Sequence, residues 1–165
     1  MNKTATIVGQ GYVGLPLAQA AAKAGWKIWG LDTNEAIVQA LNEGRSHVDD
    51  LSDEDVQEMV SLGYEATIDP NCISNSEFVI VCVPTPLGDG GSPDLRAVEA
   101  ATVTVGRHIR RGATYVLEST TYPGTTDNVC VPILEGYSKM EAGKDFHVAY
   151  SPERVNPGST EFGIN

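Results

Sequence analysis

Short β-rich runs alternate with helical runs along almost the whole chain, and that alternation limits the fold more than any single residue does. TATIVG (residues 4–9), WKIWGLD (26–32), SEFVIVCVP (76–84), ATYVLEST (113–120) and FHVAYS (146–151) read as strands, with YEATID (64–69) a weaker one. Between them, YVGLPLAQAAAKAG (12–25), NEAIVQALNEG (34–44), SDEDVQEMVSLG (52–63), LRAVEAATVTVGRHI (95–109) and TTDNVCVPILEGYSK (125–139) read as helices. Asn34 supplies a helix cap, Ser52 and Asp55 have capping-box spacing, and Gly25, Gly44 and Gly63 are stops. Pro132 would kink or restart the last helix. Strand–helix alternation implies right-handed crossovers and a parallel sheet covered on both faces. The expected fold is therefore α/β, a doubly wound parallel sheet, with the apolar run at residues 78–83 as a buried central strand. In such sheets ligands bind outside the carboxyl ends of the strands, so the strand-end loops carry the search for a site.

A chain of 165 residues, 41% hydrophobic, suffices for one core and not for two large ones. Its 22 acidic residues against 11 Lys and Arg give a net charge of −11, which disfavours a nucleic-acid backbone as partner. A small phosphate ligand held by backbone N–H groups stays open. Cys72, Cys82 and Cys130 form no CxxC pair, and an odd count without a secretion signal reads as reduced, intracellular thiols. Cys82 and Cys130 fall in apolar surroundings and read as core residues, and no activating base accompanies Cys72. His47, His108 and His147 lack metal-ligand spacing, so no metal is expected. No apolar run approaches the roughly 20 residues of a membrane helix, and a cytoplasmic protein is expected.

The first strand runs into GQGYVG, which places Gly9, Gly11 and Gly14 in G-x-G-x-x-G spacing at the start of a helix. Gly9 permits the tight turn, Gly11 lets the backbone approach a pyrophosphate, and Gly14 lets helix and strand pack closely. The helix start adds N–H donors and a positive dipole end. A glycine-rich turn without ligand is the structural alternative. The second strand ends in Asp32, near the spacing of about 20 residues at which a carboxylate accepts the ribose hydroxyls of NAD. That carboxylate would repel the 2′-phosphate of NADP, and no Arg follows in DTNEAIV to receive it. The competing role for Asp32, capping the next helix, could fall to Asn34. The pattern is that of a Rossmann-type, NAD-binding domain.

Three more strand ends carry polar groups. The fourth strand ends in VPTP (83–86), where proline turns the chain from helix and Thr85 could hydrogen-bond over the dinucleotide; plain loop punctuation is the alternative. The fifth ends in ESTTYPGTT (118–126), whose Ser119, Thr120 and Thr121 either face the crevice or cap the following helix. The sixth ends in SPERVNPG (151–158), with Glu153 beside Arg154, either functional or a salt-bridged surface turn.

VGQGYVGLPLA, VCVPTPL with its following PDL, ESTTYPGTT and YSPERVNPG, in that order, resemble the UDP-glucose/GDP-mannose dehydrogenase family over essentially the whole chain, as its N-terminal NAD-binding domain (1–165). Within the family, ESTTYPGTT and SPERVNPG resemble the branch acting on UDP-N-acetylhexosamines. The resemblance implies oxidation of the sugar C6 alcohol to a carboxylate in polysaccharide biosynthesis, with two NAD consumed and a thioester formed on a cysteine. It implies cofactor contacts for Gly9, Gly11, Tyr12, Val13, Gly14, Asp32, Thr85, Ser119 and Thr120. Glu153 matches the glutamate tied to water and thioester hydrolysis, and Thr120 the threonine that helps position it, which makes these two the expected catalytic pair.

The chain also departs from the family pattern. Ile37 stands where Lys or Arg is common, which removes a polar cofactor contact, and Pro157 replaces the second glutamate of the P-E-F-L-x-E-G pattern. The Gly-Gly-x-Cys nucleophile segment, the central dimer helix and the UDP-binding C-terminal domain of the family are not among these residues. The expectation is a cofactor domain that binds NAD without turnover. The full-length enzyme would be a homodimer or larger, act on a UDP-sugar, and bind neither nucleic acid nor membrane. A β-hydroxyacid-type dehydrogenase half and a non-catalytic NAD-binding module are the alternatives.

Overall fold

The computed structural model describes residues 3–88 and 91–152. Six strands, β1 (Thr4–Val8), β2 (Lys27–Leu31), β3 (Glu65–Thr67), β4 (Phe78–Val81), β5 (Thr114–Leu117) and β6 (His147–Tyr150), form one sheet in the order β3-β2-β1-β4-β5-β6. Every pairing is parallel. The α-helices are α1 (Gly14–Lys23), α2 (Glu35–Asn42), α3 (Asp53–Ser61), α4 (Arg96–His108) and α5 (Val131–Ser138). The expected doubly wound sheet is present.

Two apolar cores lie on opposite faces of the sheet. Ala5, Ile7 and Ile28 pack with Leu15, Ala18, Leu41, Val56 and Met59 of α1–α3. Val8, Val79, Val81, Tyr115 and Leu117 pack with Val98, Val105 and Leu134 of α4 and α5. Alternate residues of each inner strand therefore serve opposite cores, as the two-residue period of a strand requires. Each fully buried Ile or Leu contributes about 1.5–3 kcal/mol over an exposed one.

The local signals act as the residues dictate. Asn34 Oδ1 accepts from the N–H groups of Ala36 (3.0 Å) and Ile37 (3.3 Å). Ser52 and Asp55 form the reciprocal capping box that opens α3. The helices α1, α2 and α3 each close in a Schellman turn: Trp26 donates to Ala21 O, Arg45 to Ala40 O and Tyr64 to Met59 O. The last helical run is split. Thr126–Cys130 winds as a π-helical turn before α5 begins, with Pro132 in its first turn. Proline carries no N–H and crowds the carbonyl one turn back, so the backbone widens there and restarts.

The strand registers pair Leu31 with Val8, Val8 with Val81, Val81 with Leu117 and Leu117 with Tyr150. The carboxyl ends thus form one row. The chain leaves β1 toward β2 and β3, then returns to build β4–β6 on the other side. The loops after β1 and β4 diverge at that switch, and a crevice opens between them.

Candidate functional site

A cavity of about 990 Å³ occupies the crevice, within the size range of small-molecule sites. Its walls come from four strand ends: Gly9–Val13 after β1, Asp32–Asn34 after β2, Cys82–Thr85 after β4 and Glu118–Thr120 after β5. All of the expected cofactor-contact residues except Gly14 line it, and Gly14 lies beneath the turn. The described residues after β6 do not line it, and Glu153 lies outside the described residues. A smaller hollow of about 430 Å³ sits beside it between Thr121–Asp127 and Val148–Tyr150.

The glycine turn is shaped by close packing on one side and open space on the other. Gly9 adopts φ 91° and its N–H donates to Leu31 O at 2.8 Å. A Cβ on Gly14 would stand 1.9 Å from Gly9 O, whereas one on Gly11 would meet nothing within 4 Å. Gly14 therefore lets α1 dock under the turn, and Gly11 leaves the cavity side bare. No side chain caps α1, and its first turn carries no acidic residue, so its positive end faces the cavity without a counter-charge of its own. Neither Lys nor Arg is among the described residues lining the cavity. An anion bound there relies on backbone N–H groups.

Asp32 is half-buried and faces the turn. Its Oδ2 accepts from Gln10 N and its Oδ1 from Asn34 N, each at 2.9 Å. Asn34 is the cap of α2, so that role does not fall to Asp32, which lines the cavity. The outer end beyond Asp32 is apolar: Ile37, Val48, Ile68 and Pro70 line it, with His47 at its edge.

Opposite the turn, Thr85 Oγ1 donates to Thr120 O at 2.6 Å and Ser119 Oγ to Val83 O at 2.7 Å. These bonds join the loops after β4 and β5 into one wall. Ser119 therefore does not cap the following helix, which opens at Thr126 after Thr125 with no side-chain cap. Ala97, Ala100, Ala101 and Thr104 of α4 complete the lining. This contribution was missed in the sequence, although the i, i+3, i+4, i+7 spacing of small residues was its visible signal.

Among the described residues no group of three or more His, Cys, Asp or Glu could hold a metal, and no helix is long and apolar enough to cross a membrane. The three cysteines are buried, and burial raises the thiols of Cys72 and Cys130.

Residues 3–163 match the model of the UDP-glucose/GDP-mannose dehydrogenase family, NAD binding domain. The chain is 41% identical over 152 residues to UDP-N-acetyl-D-glucosamine 6-dehydrogenase of Salmonella typhi, covering 92% of this chain and 35% of that protein. It is 39% identical to protein CapL of Staphylococcus aureus, covering 96% and 36%. A crystal structure of a ternary complex of GDP-mannose dehydrogenase from Pseudomonas aeruginosa superposes with a TM-score of 0.88 at 30% identity, covering 95% of this chain and 37% of that one. The chain thus spans little more than a third of the length of these relatives. A bare glycine turn at an uncapped helix start, a carboxylate at the second strand end and a match over 3–163 converge: the chain belongs to the UDP-glucose/GDP-mannose dehydrogenase family, as its NAD-binding domain.

Proposed function

We propose that this chain is the cofactor domain of a nucleotide-sugar 6-dehydrogenase acting on a UDP-N-acetylhexosamine. The observation that carries the reading is the meeting of the bare glycine turn, Asp32 and the Thr85–Thr120 wall around one cavity. The branch assignment is supported by ESTTYPGTT and SPERVNPG and by the UDP-N-acetyl-D-glucosamine 6-dehydrogenase that is 41% identical.

In this reading the backbone N–H groups of Gly11, Tyr12 and Val13 hold the pyrophosphate at the positive end of α1, with Gly9 and Gly14 setting the turn. The Asp32 carboxylate accepts the ribose hydroxyls, its Gln10 and Asn34 donors keeping it aimed. Ile37, Val48 and Ile68 offer an apolar slot for the flat adenine, where Ile37 supplies contact and no charge. Thr85, Ser119 and Thr120 wall the far end, so the sugar C6 would be presented beside Thr120, with Glu153 following the neighbouring strand. Thr120 is assigned the positioning of water for hydrolysis and Glu153 the handling of its proton.

NAD supplies a hydride acceptor of two electrons, and an alcohol-to-carboxylate oxidation removes four, so two NAD serve each sugar. The nucleophilic cysteine that would hold the intermediate acyl group is assigned to sequence beyond these 165 residues. Cys72, Cys82 and Cys130 are buried in or against the cores and do not fill that role. The full-length protein is proposed to be a cytoplasmic homodimer or larger assembly acting on a UDP-sugar, with no nucleic-acid partner.

Titrating the chain with NAD and NADP, and assaying NADH release with UDP-N-acetylglucosamine, tests the reading. The expected result is binding of NAD, much weaker binding of NADP, and no turnover. Equal affinity for the two dinucleotides would remove the role of Asp32. Steady NADH production would remove the requirement for a distant cysteine.

A further inference from the structure

Gln10, the second residue of the glycine turn, is wholly buried although its side chain is polar. Its Nε2 donates to Ile7 O at 2.8 Å and Gly9 O at 3.3 Å, and its Oε1 accepts from the Tyr64 hydroxyl at 2.7 Å. Its backbone N–H is the donor to Asp32 Oδ2. Tyr64 stands 54 residues away, immediately after the stop of α3, where its N–H donates to Met59 O, and it too is buried. Gly30 of β2 lets the pair meet. A Cβ there would lie 2.3 Å from the Tyr64 hydroxyl and 2.6 Å from Gln10 Oε1.

Stability alone does not call for this arrangement. Leucine against phenylalanine would fill the same space without desolvating an amide and a hydroxyl. What the polar pair adds is direction: it fixes residue 10 through both main chain and side chain, and residue 10 in turn links the turn to the carboxylate. Burial, with the charge of Asp32 behind it, raises the Tyr64 hydroxyl well above its ordinary value, so it stays a hydrogen-bond donor to Gln10.

We propose that Gln10 and Tyr64 are positioning residues for the dinucleotide. Their hydrogen bond holds the Gly11–Val13 backbone and the Asp32 carboxylate in one fixed relation, so that pyrophosphate and ribose are received together. The inference rests on the NAD assignment and goes beyond it, because Tyr64 does not line the cavity and the Gln10 side chain is committed to Ile7, Gly9 and Tyr64.

The test uses the 165-residue chain with Tyr64→Phe, Gln10→Leu and the two combined, reading NAD Kd by calorimetry and Tm by circular dichroism. Each single variant leaves a buried polar group unpaired, so Tm falls and Kd rises about five- to tenfold. In the double variant both partners are apolar, and Tm returns toward that of the unmodified chain while Kd stays about five- to tenfold raised. A merely structural pair would restore Tm and Kd together, so a double variant that binds NAD as tightly as the unmodified chain overturns the proposal. If the unmodified chain itself fails to bind NAD, the cofactor reading falls and this inference with it.

Discussion

Gly11 and Gly14 lie three residues apart in one turn, yet an alanine at each should fail in opposite ways. A Cβ at Gly14 would stand 1.9 Å from Gly9 O, with Ile7 Cγ2 at 3.3 Å. Relief requires α1 to move by more than about 1 Å away from β1, since carbon and oxygen pack at about 3.2 Å or more. Leu15, Ala18 and Ala22 of that helix are buried in the core, so the shift loosens the whole contact. Overpacking of this kind costs about 1–3 kcal/mol, and a backbone obstacle puts Gly14→Ala at the upper end. At Gly11 the added Cβ meets nothing within 4 Å, and the residue does not adopt a positive φ. Gly11→Ala should therefore leave stability unchanged or raise it by about 0.4–1 kcal/mol through the unfolded chain. Its methyl group nevertheless enters the space assigned to pyrophosphate, and losing one charged hydrogen bond there, about 1.5–3 kcal/mol, weakens NAD roughly 10- to 100-fold. Urea denaturation and NAD titration of both variants separate the effects. A Gly11→Ala variant with unchanged Kd would refute the placement of the dinucleotide on this turn. A Gly14→Ala variant with an unchanged urea midpoint would refute the packing argument.

Three further outcomes follow from groups away from the turn. The Asp55 carboxyl is held below its ordinary value, foremost by the Ser52 backbone N–H, so its ionised form stabilises the fold above the unfolded-state value and that share is lost as pH falls through the lower folded value. Ser52→Ala should cost about 1 kcal/mol at pH 7, while Asp55→Asn, which removes the titrating carboxyl, should flatten the fall in urea midpoint toward pH 3; an equal fall in the asparagine variant and the unmodified chain would count against the capping box. Thr102 and Tyr115 share a buried hydroxyl contact of 2.9 Å, so Thr102→Val should cost about 1–3 kcal/mol and Thr102→Val with Tyr115→Phe much less, as a double-mutant cycle in urea would show. Burial raises the thiols of Cys72 and Cys130, so iodoacetamide at pH 8 should leave both unmodified in the native chain and label both in urea, with native labelling as the contrary result.

What was legible in the sequence was whatever acts over a few residues. The Asn34 cap, the Ser52–Asp55 box and the stops at Gly25, Gly44 and Gly63 each involve partners within five positions, and each is present. Strand limits were less legible. The apolar stretch 76–84 reads as one strand, but β4 spans Phe78–Val81 because its ladder ends where Val8 and Leu117 end on either side. The run 125–139 reads as one helix that proline could restart, and the π-helical turn before α5 depends on how the backbone absorbs Pro132. For the site, the glycine turn and Asp32 were legible because their spacing is itself the device. Gln10 was not, since a polar residue inside a glycine turn reads as solvent-facing until Tyr64, 54 residues on, is placed above it.

The crevice also shows why its walls need side chains at all. Past the carboxyl ends of β1 and β4 the two halves of the sheet diverge, and among the described residues no ladder joins one strand-end loop to the next beyond the last rungs. Three side chain–main chain bonds act there. Gln10 N to Asp32 joins the loops after β1 and β2, while Ser119 to Val83 and Thr85 to Thr120 join those after β4 and β5. Each runs between a side chain and the main chain of a different loop, so each fixes backbone that the sheet leaves loose. A cavity fixed in this way loses little conformational freedom when a ligand enters, and more of the contact energy appears as affinity. Ser119, Thr85 and Asp32 are thus read two ways at once, as groups available to a dinucleotide and as the ties that keep its groove open. Substituting any of them should weaken binding through both routes, and Gly11, where an added Cβ meets nothing within 4 Å, is the cleaner probe of where the ligand lies.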